Sequence, residues 1–315
     1  MVRTLDSFID EWRSPSPTVA AHTSGSTGKP KEIQLSKEAM RRSARATNSF
    51  FGIDRDSVLV CPLSVDYIAG KMMVVRALEA GARLVMCSPS RSGFLSDLPD
   101  DVGQIDLLPI VPAQIDALMT SSHAASVRNV IVGGAPMTPA QEETLRQAPF
   151  RAWATYGMTE TCSHVALRDV TAAEELFTAL PHVSLSIDPR GCLVIDESLV
   201  TNDVVELQSD GRRFRWLGRA DNVINTGGVK IHPEEMEARL RPVMPPGIDF
   251  YLTSRPSAEW GREVVMIVLS PLDALLTVRV MGACRRVLPR EAVPKAIVYD
   301  AAPEYTASGK LIRRR

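Results

Sequence analysis

Between residues 18 and 150 the apolar positions gather into short runs: VLVCPL (58–63), ARLVMCS (82–88), IDLLPIVP (105–112) and VRNVIVGG (127–134). They alternate with stretches of helical periodicity such as KEAMRRSARATNSFF (37–51) and AQEETLRQA (140–148). Strand and helix in alternation predict an α/β domain with a mostly parallel sheet, whose sites lie in the loops at the strand ends. TVAAH (18–22) reads as a further strand, and MVRTLDSFIDEWRS (1–14) as an amphipathic helix. Beyond Pro181 the pattern changes to short strands separated by turn chemistry, with DPRG inside residues 183–196 and SDG inside residues 203–218. This predicts an antiparallel, hairpin-rich subdomain. HPEEMEARLRPV (232–243) reads as a helix with Pro near its start and acids in its first turn. Strands at DFYLTS and EVVMIVLS, a helix over roughly 271–288 and a strand at AIVYD complete a small α+β region.

The expected organisation is therefore a large N-terminal α/β domain over residues 1–218, hairpins included, and a small C-terminal α+β domain over residues 219–315. A length of 315 residues agrees, being more than one core usually absorbs. A formal net charge of -1 gives no support for a nucleic-acid or membrane surface, so any anion has to be held by a local site. Five cysteines lie far apart, with no CxxC pair and no His at zinc spacing. Neither a disulfide framework nor a structural metal is indicated, and a reducing cytoplasm fits. No apolar run is long enough to span a bilayer, and no export signal is visible.

One segment changes this picture. In AAHTSGSTGKPKEIQLS (20–36), Thr23, Ser24, Gly25, Ser26, Thr27, Gly28 and Lys29 follow the first strand. Glycines let backbone N–H groups converge, hydroxyls add donors and lysine adds a charge, a combination suited to a polyphosphate. It is not a Walker A loop: the glycines are too close together, and Pro30 blocks helix entry after Lys29. On composition alone, a solvated hairpin turning at PKE is the other reading.

TSGSTGKPK resembles the phosphate loop of the adenylate-forming enzymes, the superfamily of acyl-CoA synthetases, peptide-synthetase adenylation domains and luciferases, and further motifs follow in that family's order. VGGAP, with Gly133, Gly134, Ala135 and Pro136, resembles the adenine-side loop. ATYGMTETCSHV (154–165) resembles the motif in which Tyr156 would pack on adenine beside Gly157 and Met158. There Thr159 would contact the α-phosphate and Glu160 would hold Mg²⁺. TNDVVEL (201–207) resembles the family's TGD segment, with Asp203 accepting from the ribose hydroxyls and Asn202 in place of glycine. GRADNVINTGGVKIHPEEME (218–237) would supply Arg219 to the ribose and phosphate, Asp221 as hinge, and Gly227 and Gly228 to the thiol's approach. PEYTASGKLIRR (303–314) would carry the adenylating lysine, Lys310.

The resemblance implies ATP and coenzyme A as co-substrates, Mg²⁺ as cofactor, a small-molecule carboxylic acid as partner, and a mobile C-terminal domain. The phosphate loop begins near residue 23, whereas most relatives carry a considerably longer N-terminal region. That feature, with PLSVDYIAGKMMVVRALEAGARL (62–84), looks most like the short bacterial o-succinylbenzoate–CoA ligases. Such an acid has two carboxylates, one activated and one held. Tyr67 and Gly70 would line its site. Lys71 and Arg76, five residues apart on the helix after Gly70, are candidates for the held carboxylate; a solvated helix face is the alternative. An adenylating enzyme that loads a carrier protein, a non-catalytic nucleotide-binding module, and a homo-oligomer that covers the surface shielded in longer relatives also remain open.

Overall fold

The computed structural model describes residues 4–22, 31–99, 101–304 and 313. Thr23 to Lys29 and Lys310 lie outside the described residues. The chain divides into two compact units, Met1–Val183 and Ser184–Arg315. The hairpin-rich strands assigned above to the larger domain thus fall within the second unit.

The first unit runs α1 (Leu5–Arg13), β1 (Thr18–His22), β2 (Glu32–Ser36), α2 (Lys37–Phe51), β3 (Val58–Cys61), α3 (Ile68–Ala80), β4 (Arg83–Met86), β5 (Leu108–Ile110), α4 (Ile115–Met119), β6 (Asn129–Val132), α5 (Pro139–Arg146), β7 (Arg151–Gly157), β8 (His164–Asp169) and β9 (Phe177–Ala179). β1 and β2 form an antiparallel pair on either side of the phosphate-loop residues. The parallel layer has β3 beside β4, β5 beside β6 and β6 beside β7. A parallel bridge between Leu59 and Leu107 joins its halves. β8 and β9 then extend it antiparallel. The α/β class is as the sequence predicts, but the sheet is mixed and not mostly parallel: β5, β6 and β7 run parallel, as do β3 and β4, whereas β7, β8 and β9 pair antiparallel.

Local chemistry explains the helix limits. The Ser36 hydroxyl accepts from the Ala39 N–H at the start of α2, and Gly52, at φ 66°, closes its end in the left-handed conformation. Thr138 and Gln141 cap α5 reciprocally, with Pro139 at its first position. α3 differs, because Gly70 through Ala77 are all buried. An apolar helix embedded on most sides is expected from IAGKMMVVRALEA. Phe8 and Trp12 of α1 share a core with Met40 of α2 and Met72 and Val75 of α3.

In the second unit, β10 (Leu185–Ile187), β11 (Cys192–Ile195), β12 (Leu199–Leu207) and β13 (Arg213–Arg219) form an antiparallel meander. It continues with the hairpin β14 (Ile224–Thr226) and β15 (Val229–Ile231), then α6 (Pro233–Leu240), β16 (Phe250–Ser257), β17 (Gly261–Val268), α7 (Ala274–Val287) and β18 (Ala296–Tyr299). β16 and β17 pair antiparallel and β18 joins parallel, over a core that includes Leu240, Phe250, Met266 and Val280. Among the described residues no helix is long and apolar enough to cross a membrane. All five cysteines are buried free thiols. Burial pushes the Cys61 thiol up to about 12 and the Cys87, Cys162 and Cys284 thiols up to about 11. None of those four is poised to act as a nucleophile.

Candidate active site

Parallel strands deliver their C-terminal ends to one edge, and the loops leaving that edge make the site. The pairing of Val132 with Ala154 brings Gly133 beside Thr155, one residue on along each strand. A Cβ on Gly133 would lie 2.5 Å from the Thr155 hydroxyl oxygen, which donates to the Val132 carbonyl at 3.1 Å. Gly134 follows at φ 83°, and Ala135 and Pro136 are exposed. The next strand in the layer ends on the TYGMTET segment. The structure thus sets VGGAP and ATYGMTETCSHV, the two motifs expected on the adenine side, next to each other although they are far apart in sequence.

Tyr156 is half-buried, its ring 5.9 Å from that of Phe177. Gly157 sits where β7 and β8 change register, and a Cβ there would lie 2.4 Å from the Ser163 carbonyl oxygen. No larger residue fits without moving the backbone. Residues 159–161 form a single 3-10 turn, with the Thr161 hydroxyl accepting from the Met158 N–H at 3.0 Å. The turn leaves the Glu160 carboxylate exposed, with no hydrogen-bond or ion-pair partner among the described residues. Mg²⁺ keeps most of its waters and takes one or two carboxylates together with phosphate oxygens, so a lone free carboxylate fits it. Among the described residues no cluster of three or more His, Cys, Asp or Glu could form an all-protein metal cage.

The two cations of α3 have different environments. Lys71 is 1% exposed; its ammonium donates to the Val65 carbonyl at 2.8 Å and lies 5.2 Å from the centre of the Phe8 ring. Its charge is directed to the N-terminal helix and a backbone carbonyl. Arg76 is 2% exposed; Nη2 donates to the Ser163 hydroxyl at 2.5 Å and Nη1 touches the Met73 sulfur at 3.4 Å. Its Nε is buried without a partner, and no carboxylate among the described residues lies within ion-pair distance. Burial lowers the guanidinium to about 10, so it stays charged at neutral pH. Neither residue lies on a solvated face. Tyr67, at the start of α3, is 63% exposed. Gly70 packs so closely on the preceding loop that a Cβ would lie 2.2 Å from the Ser64 carbonyl oxygen.

Sequence reasoning did not single out Arg76's neighbours. Ser163 leads to His164, whose Nδ1 lies 3.4 Å from the Ser163 Oγ and whose Nε2 lies 3.1 Å from the Thr47 Oγ1. The only signal was the polar pair Ser163 and His164 near the end of ATYGMTETCSHV. Burial, followed by the nearby charge of Arg76 and His182, holds the His164 imidazole well below its ordinary range. In the unfolded chain this imidazole takes up its proton near pH 6.5. Its stabilising contribution is therefore complete above that value and is lost as pH falls toward the depressed folded value. The wild type is expected to lose up to about 1.4 kcal/mol per pH unit in that window from this group alone. Urea denaturation at pH 7.5, 6.5 and 5.5 checks this, with His164→Phe showing a shallower slope.

In the second unit the register of β12 and β13 sets Asp203 directly opposite Arg219. Arg219 lies 3.9 Å from the Asp203 carboxylate and 3.3 Å from that of Asp221, and the Asn202 amide donates to Asp221 at 3.2 Å. The ribose, phosphate and hinge candidates are thus assembled into one cluster, with Asn202 holding the Asp221 carboxylate. Gly227 and Gly228 have φ of 56° and 84° in the two-residue turn between β14 and β15, a turn that favours glycine at both positions. A Cβ on Gly227 would also lie 2.6 Å from the Trp260 ring.

Residues 8–199 match the AMP-binding enzyme family. A 2-succinylbenzoate–CoA ligase of Enterococcus faecalis is 26% identical over 93% of this chain and 68% of its own length. The crystal structure of an acyl-CoA synthetase (AMP-forming)/AMP-acid ligase II-like protein from Dyadobacter fermentans is 32% identical, with a TM-score of 0.64 over 96% of this chain and 90% of that one. The o-succinylbenzoate coenzyme A synthetase of Bacillus subtilis, solved with ATP and magnesium, is 20% identical, with a TM-score of 0.77 over 93% of this chain and 68% of that one.

Proposed function

Because the chain belongs to the AMP-binding enzyme family, we propose that it is an ATP-dependent acid–CoA ligase that acts through an acyl adenylate on 2-succinylbenzoate, a step of menaquinone biosynthesis. The observation that carries the choice of acid is Arg76. A charged guanidinium taken out of water without a counter-ion costs several kcal/mol, and an acid with a second carboxylate supplies that counter-ion. ATP and coenzyme A are the co-substrates, and a cytoplasmic location fits five reduced, buried thiols.

In the first half-reaction a carboxylate oxygen of the acid attacks the α-phosphorus of ATP. The bond to the bridging oxygen breaks, releasing pyrophosphate and leaving the acyl adenylate. Both reactants are anionic, so the barrier is one of charge and alignment. In this reading Thr23 to Lys29 cradle the phosphates, Thr159 donates to the α-phosphate and Lys310 places its ammonium between the two anions. Tyr156 and the loop from Gly133 to Pro136 hold the adenine, and Asp203 accepts from the ribose hydroxyls with Arg219 beside it. Mg²⁺, held at Glu160, supplies further neutralisation of the phosphates when bound. In the second half-reaction the sulfur of coenzyme A attacks the acyl carbon, the bond to the AMP oxygen breaks with its electron pair, and the thiol proton passes to solvent.

The two halves require different surroundings at one carbon. Rotation of the segment beyond Arg219 about Asp221 would withdraw Lys310 and bring Gly227 and Gly228 toward the thiol. The moving part then begins at residue 219, within the second compact unit. A pyrophosphate-release assay with a panel of aromatic and aliphatic acids, with and without CoA, tests the assignment. Release that depends on 2-succinylbenzoate, with thioester formed once CoA is added, is expected. Release with simple monocarboxylates at equal efficiency would contradict it.

A further inference from the structure

Arg76 is joined through Ser163 and His164 to Thr47, and the direction of each hydrogen bond in that line can be deduced. The Thr47 hydroxyl donates to the Ser43 carbonyl at 3.1 Å, so its oxygen is left to accept from His164 Nε2 at 3.1 Å. Nε2 therefore carries the proton. A neutral imidazole has one N–H, so Nδ1 is an acceptor, and the Ser163 hydroxyl donates to it at 3.4 Å. With that proton committed, the Ser163 oxygen presents its lone pairs to Arg76 Nη2 at 2.5 Å. Thr47, His164, Ser43 and Arg76 are all buried, and the partners of Ser163 and His164 lie 87 and 117 residues away in sequence.

We propose that Ser163, His164 and Thr47 act as positioning residues for Arg76, fixing the guanidinium so that its remaining N–H groups face the non-reacting carboxylate, and so set the preference for a dicarboxylic acid. The proposal rests on Arg76 receiving that carboxylate. A guanidinium held from one side keeps its fork in a single orientation, which is the arrangement a bidentate carboxylate needs. The line works only with a neutral imidazole: a proton on Nδ1 would turn the Ser163 hydrogen toward the guanidinium. The depressed affinity of His164 for protons keeps the imidazole in the required form. A network that merely satisfied buried polar atoms would affect stability but not the choice of acid.

The test compares kcat and KM of the full-length protein for 2-succinylbenzoate and for an analogue in which hydrogen replaces the non-reacting carboxylate. The variants are Ser163→Ala, Ser163→Thr and Thr47→Val, with KM for ATP recorded for each. Ser163→Ala is expected to raise KM for the diacid about tenfold with kcat within about twofold, and to lower the diacid-to-monoacid preference by the same factor. Ser163→Thr, which keeps the hydroxyl, restores most of that preference. Thr47→Val, which keeps the shape, shifts it in the same direction by a smaller factor. A wild type with no preference for the second carboxylate would overturn the reading of Arg76, and the relay with it. A wild type with that preference, retained in Ser163→Ala, or parallel loss of kcat and affinity for both acids and ATP, would overturn the relay alone.

Discussion

If Lys310 bridges the two anions as proposed, replacing it by alanine is expected to lower acyl-adenylate formation by about 10²- to 10³-fold, the size of effect seen when one preorganised electrostatic donor is removed. Conversion of supplied acyl adenylate to thioester stays within about threefold. The reason is the charge of the first half-reaction: carboxylate and triphosphate repel, and a compact ammonium on a long stem offsets both. The second half joins a thiol to a mixed anhydride and needs no such bridge. Arg313, described beyond this lysine in sequence, is held in the second unit. Arg313 donates from both terminal nitrogens to Glu237, at 2.5 and 2.7 Å, and to the Leu252 carbonyl at 3.1 Å. Glu237, only 5% exposed, also accepts from the Leu252 N–H at 2.7 Å. Burial pushes the Glu237 carboxyl up, and the arginine beside it opposes that shift. Pyrophosphate exchange and single-turnover thioester formation, measured separately, check the division. Equal loss of both would contradict it.

If Arg76 receives the second carboxylate as proposed, replacing it by methionine is expected to raise KM for 2-succinylbenzoate by about 10²-fold or more, since truncating one side of a buried charged pair costs about 2–5 kcal/mol. The same change leaves the unliganded protein as stable as before or more so. It removes a buried charge that has no carboxylate partner among the described residues and substitutes an apolar side chain of similar length. Affinity and stability therefore move in opposite directions, as expected where a binding site has been kept at the expense of the fold. Denaturant midpoints, with and without the acid, check both halves of the statement. A large loss of stability without ligand would mean that Arg76 serves the core and not the substrate.

Much of this was legible in the sequence because it depends on local chemistry. KEAMRRSARATNSFF announces a helix over residues 37–51, and α2 occupies those residues because Ser36 and Gly52 cap it. The turn residues around Gly191 and Gly211 locate two hairpins in the same way. The hairpins do not reveal which compact unit they join, since that depends on packing across long sequence separations; they fall in the second unit. α3 marks the other limit. Its residues are apolar on most sides, so periodicity could not decide whether Lys71 and Arg76 face water, core or ligand. Three-dimensional packing separates them, giving Lys71 a carbonyl and a ring and leaving the Arg76 Nε without a partner among the described residues. Ser163 and His164 were visible as letters at the end of a motif. Their connection to Arg76 and Thr47 arises only when β8 packs beside α2 and α3.

The most direct measurement is a single-turnover reaction of the purified protein with ATP, magnesium and 2-succinylbenzoate in the absence of CoA. Acid-quenched samples are analysed for acyl adenylate and pyrophosphate. The account predicts one acyl adenylate and one pyrophosphate per active chain, with the adenylate consumed and AMP released when CoA is added. Pyrophosphate formed without the acid, ADP in place of pyrophosphate, or thioester appearing with no adenylate before it would contradict the account.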